Sequence, residues 1–388
     1  MATLVSYVLF FLSAFALYSE FYFAFSNGLL ELSDKVAVDK LIPNLDNEPL
    51  RTVYTGVELV DRLFILLGTF LWPTVDGNNP ALTLHTLAFA GAFGSAWVLI
   101  LLEGWRKGNA WKLVAFPVLF GIAAQLLTFA VASPLFCGLH LATASFARPN
   151  FNEVSVPRSV LLAIPIIFVI TYFIPSGLML APAPEVFTFD QKQLIIALWQ
   201  PWPIYASFLA VVAYVVLPAF ISDNNATASK QAIVQRRALR GVYAFAFALG
   251  AIAHIASWTI SLATVFAPAI FNQKYAYDLH PVKVFQMTLP WANTDLRVSS
   301  IAEGVHIFLQ WDFAVGATAV LLWAVTLFTL AHRHIAGTVC WTGLAAKVAF
   351  LWFVAGPIGT SVELLWERDE LVIEHELITQ GAQDKKTI

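Results

Sequence analysis

The sequence predicts an all-α, polytopic membrane bundle of about eight or nine transmembrane helices, and three observations predict it. Hydrophobic residues make up 59% of the 388 and charged residues 12%, with a mean hydropathy of +0.73; an ordinary globular chain is roughly 25% charged. Apolar runs recur along the chain at the length of about 20 residues that a spanning helix needs. The polar connections between them, at about 31–52, 222–239 and 272–300, are each too short to bury a core of their own. The organisation expected is one transmembrane bundle with an internal active-site cavity over residues 1–364 and a polar C-terminal tail over 365–388.

In chain order the spans are expected at roughly 4–25, 53–73, 81–102, 113–145, 157–180, 200–221, 240–270, 301–331 and 338–364. The first has no basic flank and no small-residue cleavage site, so it reads as a retained helix rather than a signal peptide. Several runs exceed what a bilayer needs. Pro134, Pro175, Pro201, Pro203 and Pro357 sit in or beside them, which predicts bends or breaks that open an internal cavity. No internal repeat is visible, and this weakens an inverted-repeat carrier.

Composition and missing motifs exclude several classes. The net charge of −3 and the absence of any large basic block speak against nucleic acid. Cys137 and Cys340 lie in apolar stretches without a CxxC and read as small core residues. No GxSxG, HExxH or Walker loop occurs. Nor is there a DDxxD or DxxxD motif of the kind that holds magnesium for diphosphate chemistry. No cofactor and no metal is expected, and no obligate protein partner is evident; the partners implied are the lipid bilayer and a small hydrophobic molecule.

The chain closes on "KKTI", the form of a dilysine retrieval signal, which predicts an endoplasmic-reticulum membrane protein with a cytosolic C-terminus. Asn225-Ala226-Thr227 is a glycosylation acceptor. Three expected crossings separate it from the tail, so it is expected in the lumen. The loop "GWRKGNAWK" then falls in the cytosol, as the positive-inside rule prefers. Lys230, Arg236, Arg237 and Arg240 fall on the wrong side under the same count.

Charged residues inside spans are the informative ones, since each costs roughly 2.5 to 3.5 kcal/mol at a helix centre on insertion scales. In the second run, Glu58, Asp61 and Arg62 share one helical face. Glu58 and Arg62 can pair, leaving Asp61 as an acid expected to be desolvated and protonated, able to donate to a weakly basic oxygen. Asp312, in "HIFLQWDFAVG", is the second intramembrane acid, with His306 and Gln310 on the same helix and His254 a possible partner on another. Trp311 and Trp258 could present aromatic faces to a cation. Glu20, in "LYSEFYF", has an aromatic collar, Glu103 and Glu363 read as interfacial, and His140 reads as a hydrogen-bonded core residue.

The stretch "TYFIPSGLMLAPAPEVFTFDQKQLIIALWQPWPIYASFL", residues 171–209, resembles the corresponding region of the fungal membrane-bound terpene cyclases of the ascochlorin and ascofuranone pathways. A "YFIP" span end with a Pro-rich turn, the short helix "DQKQLIIALWQ" and the opening "WQPWP" carry the likeness, and "PLFCGLHLATASFARP", residues 134–149, is similar too. The resemblance implies a substrate with a farnesyl chain on a polyketide-derived phenol, its terminal alkene already epoxidised. Protonation opens the epoxide, and the cation cyclises or is trapped by oxygen, without diphosphate or metal.

The expected mechanism makes Asp61 or Asp312 the general acid, with Glu58 and Arg62 tuning it. Trp311, Trp258, Trp199 and Trp202 are expected to line the cavity with Glu20 and His254, and Gln200 to bond the phenol head. A proton-coupled carrier of a hydrophobic metabolite, with Asp61 and Asp312 as proton sites, is the alternative. A receptor-like bundle fits the span count and internal acids less well, and an acyltransferase would rest on His254 alone.

Overall fold

A computed structural model describes residues 2–43, 45, 47–143, 149–221 and 228–384. Apart from one isolated bridge between Leu41 and Pro49, the described elements are helices. We label them α1 (Ala2–Ser26), α2 (Leu29–Asp39), α3 (Glu58–Val75), α4 (Pro80–Gly104), α5 (Pro117–Leu126), α6 (Phe129–Thr143), α7 (Phe151–Leu180), α8 (Phe189–Trp199), α9 (Trp202–Ala219), α10 (Ala228–Phe266), α11 (Ile301–Ile335) and α12 (Trp341–Asp384). The all-α polytopic bundle is as expected. Seven of the helices, α1, α4, α7, α9, α10, α11 and α12, are long and apolar enough to cross a membrane, fewer than the sequence suggested.

Two expected spans account for the difference. The run at 53–73 becomes α3, which carries Glu58, Asp61 and Arg62 in its first turns and is not among the seven. The run at 113–145 is two short helices, α5 and α6, broken at Leu127. They form a hairpin: a Cβ on Gly104 would meet Pro117 at 3.0 Å, and Asn109, on the loop before α5, reaches His140 near the end of α6 at 3.2 Å. Thr128 starts α6 by accepting the Val131 N–H at 3.2 Å, the role of a helix N-cap.

The last helix turns back on itself. Gly356 has φ +73°, a conformation that only glycine adopts without strain, and a Cβ there would sit 2.9 Å from His254 Nδ1. A straight helix would hold Lys347 and Glu367 about 30 Å apart at 1.5 Å per residue, yet the two side chains form an ion pair. The arms on either side of Gly356-Pro357 are therefore antiparallel. The expected boundary at 364 falls inside the second arm, where Leu365, Arg368, Asp369, Val372 and Ile373 are buried. Residues 365–380 are thus part of the bundle and not a polar tail.

This turn also corrects the topology. Ser229 Oγ donates to Gln380 Oε1 at 2.9 Å, and Arg236 and Arg240 pair with Glu370 at 2.5 and 2.6 Å. The basic start of α10, the "GWRKGNAWK" loop and the end of α12 therefore share one end of the molecule. The conflict among basic segments disappears; the 225–227 sequon and "KKTI", expected on opposite sides, fall outside the described residues. Cys340 is exposed at this end rather than in the core, whereas Cys137 is buried.

A buried charge cluster holds that end together. Glu103 pairs with Arg106 at 2.8 Å and Arg368 at 2.7 Å, Arg106 pairs with Asp369 at 2.6 Å, and Tyr243 Oη donates to Asp369 at 2.7 Å. Two acids and two guanidiniums balance, which is how buried charge is tolerated. Glu103 is thus fully buried and not interfacial as expected. His140 is a hydrogen-bonded core residue: its Nδ1 accepts from Trp323 Nε1 at 3.0 Å, and its Nε2 lies 3.3 Å from Glu103.

Candidate active site

Above the charged end, the bundle encloses a cavity of about 1090 Å³. Its wall is overwhelmingly apolar, with Phe70, Phe89, Phe129, Phe308 and Tyr172 among its rings. α3 closes one side through Leu66, Phe70 and Thr74, while Leu66, Phe173 and Ile252 are both lining and exposed, so the cavity opens at the protein surface. Two helix breaks reach it. Leu127 and Thr128, between α5 and α6, line it, as does Gln200, between α8 and α9. Backbone freed at such breaks is tolerated within a bilayer only where it is buried in protein or lines a cavity.

Asp312 on α11 is the acid in the wall. It is 6% exposed, and its Oδ1 accepts the Ala130 N–H at 2.6 Å, at the N-terminus of α6. The break at Leu127 places that N–H group there; in an unbroken helix it would be spent on the backbone. The acid nearest to Asp312 in electrostatic terms is Glu20, 1% exposed, in a π-helical turn over Leu17–Tyr22 in the C-terminal third of α1. Their carboxyls are near enough for the charge of Asp312 to act on Glu20. The Thr128 hydroxyl is the polar neighbour of Glu20, although neither Glu20 oxygen completes a hydrogen bond of good geometry. Two carboxyls in one apolar pocket disfavour the doubly charged state, since each buried charge is costly and like charges repel.

The other expected acid is elsewhere. Asp61 caps the start of α3, where Oδ1 accepts from Tyr54 N at 3.1 Å, Thr55 N at 2.7 Å and Thr55 Oγ1 at 2.9 Å, and Oδ2 accepts from Gly56 N at 3.1 Å. The Thr55 N–H foremost, with the other donors, holds its carboxyl below the usual aspartate range. This corrects the expectation of a protonated Asp61: four donors stabilise the charged form, and the side chain does not line the cavity. Glu58 and Arg62 pair at 2.5 Å on the outside, with side chains 79% and 75% exposed. They tune neither acid.

The expected lining residues divide. Trp199 and Gln200 line the cavity. Trp202 lies behind it, fully buried against Tyr172 at 4.8 Å and Phe93 at 5.6 Å, and braces two rings that do line it. Trp311 turns away, its Nε1 donating to Thr288 O at 2.9 Å, and Trp258 stacks on Phe285 at 4.3 Å. His254 is not the partner of Asp312, because its Nε2 meets Phe353 O at 3.2 Å beside the Gly356 turn. His306 and Gln310 are both occupied by Val284 O, at 3.0 and 3.2 Å. The two acids were visible in the sequence as one glutamate and one aspartate within apolar runs, but nothing in it joined α1 to α11.

A family profile described as the CtvD domain matches residues 5–373. The chain belongs to the CtvD family. It is 33% identical over 372 residues to the terpene cyclase ctvD of Aspergillus terreus, covering 95% of this chain and 99% of that one. It is 30% identical over 360 residues to the terpene cyclase ascI of Acremonium egyptiacum, covering 90% and 87%. A third family relative, the terpene cyclase penA of Penicillium crustosum, is 28% identical over 369 residues, covering 94% and 96%. No solved structure matches the chain.

Proposed function

We propose that this chain is a membrane-bound terpene cyclase of fungal meroterpenoid metabolism that protonates a terminal epoxide on a farnesyl chain attached to an aromatic polyketide. The observation that carries the reading is a carboxyl pair, Asp312 backed by Glu20, set in the wall of an aromatic-lined cavity. Family membership and relatives named terpene cyclases support it.

In this mechanism the pair holds one proton. Asp312 Oδ1 stays bonded to the Ala130 N–H, leaving Oδ2 to carry the proton to the epoxide oxygen. The C–O bond breaks, the oxygen becomes a hydroxyl, and the chain's double bonds close on the cationic carbon. Phe89, Phe129 and Phe308 offer π faces, which stabilise positive charge without a lone pair that would trap it. The final cation loses a proton to the carboxylate left behind, so the acid is restored and substrate and product have the same mass. Glu20 positions Asp312 and keeps the pair to a single proton; Trp199 and Gln200 bind the substrate, and Trp202 supports them from behind.

The basic end that holds the "GWRKGNAWK" loop, Arg236, Arg240 and the last helix would face the cytosol by the positive-inside rule. That supports a cytosolic side for the end of α12 that pairs with the basic start of α10. The functional test is direct. Detergent-solubilised protein with chelator and an epoxyfarnesyl phenol is expected to yield an isobaric product; a proton-coupled carrier would return the phenol unchanged and accumulate it in vesicles under a proton gradient.

A further inference from the structure

The acid pair is not the cavity's only polar station. Gln200 is 5% exposed, lines the wall at the break between α8 and α9, and its Nε2 has no hydrogen-bond partner. Beside it, Trp199 Nε1 donates to Ser176 Oγ at 2.9 Å, and Ser176 also lines the cavity. Because the indole can only donate, Ser176 Oγ is fixed there as an acceptor, and its own proton is free to point inward; no acceptor for it occurs among the described residues. A buried donor left unpaired is costly, and native proteins rarely carry one without a use.

We propose that Gln200 and Ser176 form a two-donor site for an acceptor oxygen, a carbonyl or phenolic oxygen on the aromatic head of the substrate, with Trp199 as the residue that sets Ser176. This rests on the cyclase reading above and deepens it. The chemistry of the wall supports that class of ligand over others. The unpaired atom is the Nε2 amide, which donates, so the group that satisfies it must accept. Thr83 and Thr86 also present unpaired hydroxyls to the cavity, but a hydroxyl can turn between donor and acceptor and so selects nothing.

The separation of the two stations matters as well. The Gln200 station sits where α8 meets α9, against Tyr172 of α7 through Trp199, whereas Asp312 sits where α11 meets the start of α6. The two stations are thus carried by different helices of a wall that is mostly apolar. A molecule with a single polar group could use one station only. The arrangement suits a long apolar chain with an acceptor oxygen at one end and an acid-labile oxygen at the other, so the head is held while the far end of the chain reaches Asp312.

The experiment compares two probes, an epoxyfarnesyl phenol and an epoxyfarnesyl benzene that lacks the head oxygen, on wild type, Gln200→Leu and Ser176→Ala in detergent. Losing a neutral hydrogen bond of this kind is expected to lower the ratio of kcat/KM for the phenol over the benzene about tenfold in Gln200→Leu, chiefly through KM, and by less in Ser176→Ala. Gln200→Met serves if the leucine variant does not extract as a folded monodisperse species. An unchanged ratio in the folded variants overturns the head-group site while leaving the cyclase reading intact. Failure of wild type on both probes overturns the cyclase reading itself, and this site with it.

Discussion

Asp312→Asn separates the two roles that a buried carboxyl can play. The asparagine Oδ1 can still accept the Ala130 N–H that Asp312 takes at 2.6 Å, so the start of α6 keeps its partner. Alanine would leave that N–H buried and unpaired at a cost of about 1–3 kcal/mol, which would confuse folding with chemistry. The asparagine variant is therefore expected to extract and unfold like wild type. What it loses is the transferable proton. General acid catalysis contributes typically about 10²–10⁴-fold, which is roughly 3–5 kcal/mol on the barrier at about 1.36 kcal/mol per decade. The assay is the rate of isobaric product formation from an epoxyfarnesyl phenol, with thermal unfolding of the detergent extract in parallel. A folded Asp312→Asn protein that retains more than about a third of wild-type rate, well outside that range, would refute the assignment of the acid.

Other outcomes follow from the same geometry. Asp61→Asn is expected to keep cyclisation but lose thermal stability at neutral pH, since the amide cannot accept from Gly56 N as Oδ2 does. Its folded-state pKa lies below the unfolded value, so the stabilisation is fully present above about pH 4 and is lost as the pH falls through the folded value; the gap between wild type and variant should close on acidification, and a constant gap would count against the charge. Arg368→Met leaves Glu103 and Asp369 short of a buried partner and is expected to cost about 3–5 kcal/mol, read as a large drop in unfolding temperature, whereas a change within about 1 kcal/mol would mean the cluster is not a clamp. With Cys137 buried, a membrane-impermeant thiol reagent is expected to label native Cys340 and an introduced Ser229→Cys from the same side of sealed microsomes; labelling from opposite sides would contradict the fold-back of α12 at Gly356.

What the sequence reveals here depends on range. Apolar runs report helices because their periodicity and length are local properties, and both the all-helical bundle and the acid at Asp312 were legible for that reason. The same rule mistook α3 for a span: Glu58, Asp61 and Arg62 take up its first turns and leave too short an apolar stretch to cross, and the helix covers a cavity, which only neighbouring helices disclose. Asp61 read as a buried acid because the loop that feeds it four donors precedes the helix and has no signature. Pro357 was noted as a possible break, yet the reversal needed Gly356 in a left-handed conformation against His254, a contact between α12 and α10. Tryptophans drew attention as cavity rings, whereas most of the pocket's rings are phenylalanines, which are 32 in number in the chain and so carry little signal individually. Glu20 was singled out by its aromatic collar, but its nearness to Asp312 in charge relates the first spanning helix to the sixth, which no local pattern discloses.

The most direct test of the account is a double-mutant cycle on the acid pair, measuring isobaric product from an epoxyfarnesyl phenol with wild type, Glu20→Gln, Asp312→Asn and the double variant, all shown to be folded. If the two carboxyls share one proton and work as a unit, Asp312→Asn falls by about 100-fold or more, Glu20→Gln falls as well, and the double variant is no worse than Asp312→Asn alone. Two variants close to wild type, or losses that simply multiply, would contradict the claim that this pair starts the reaction.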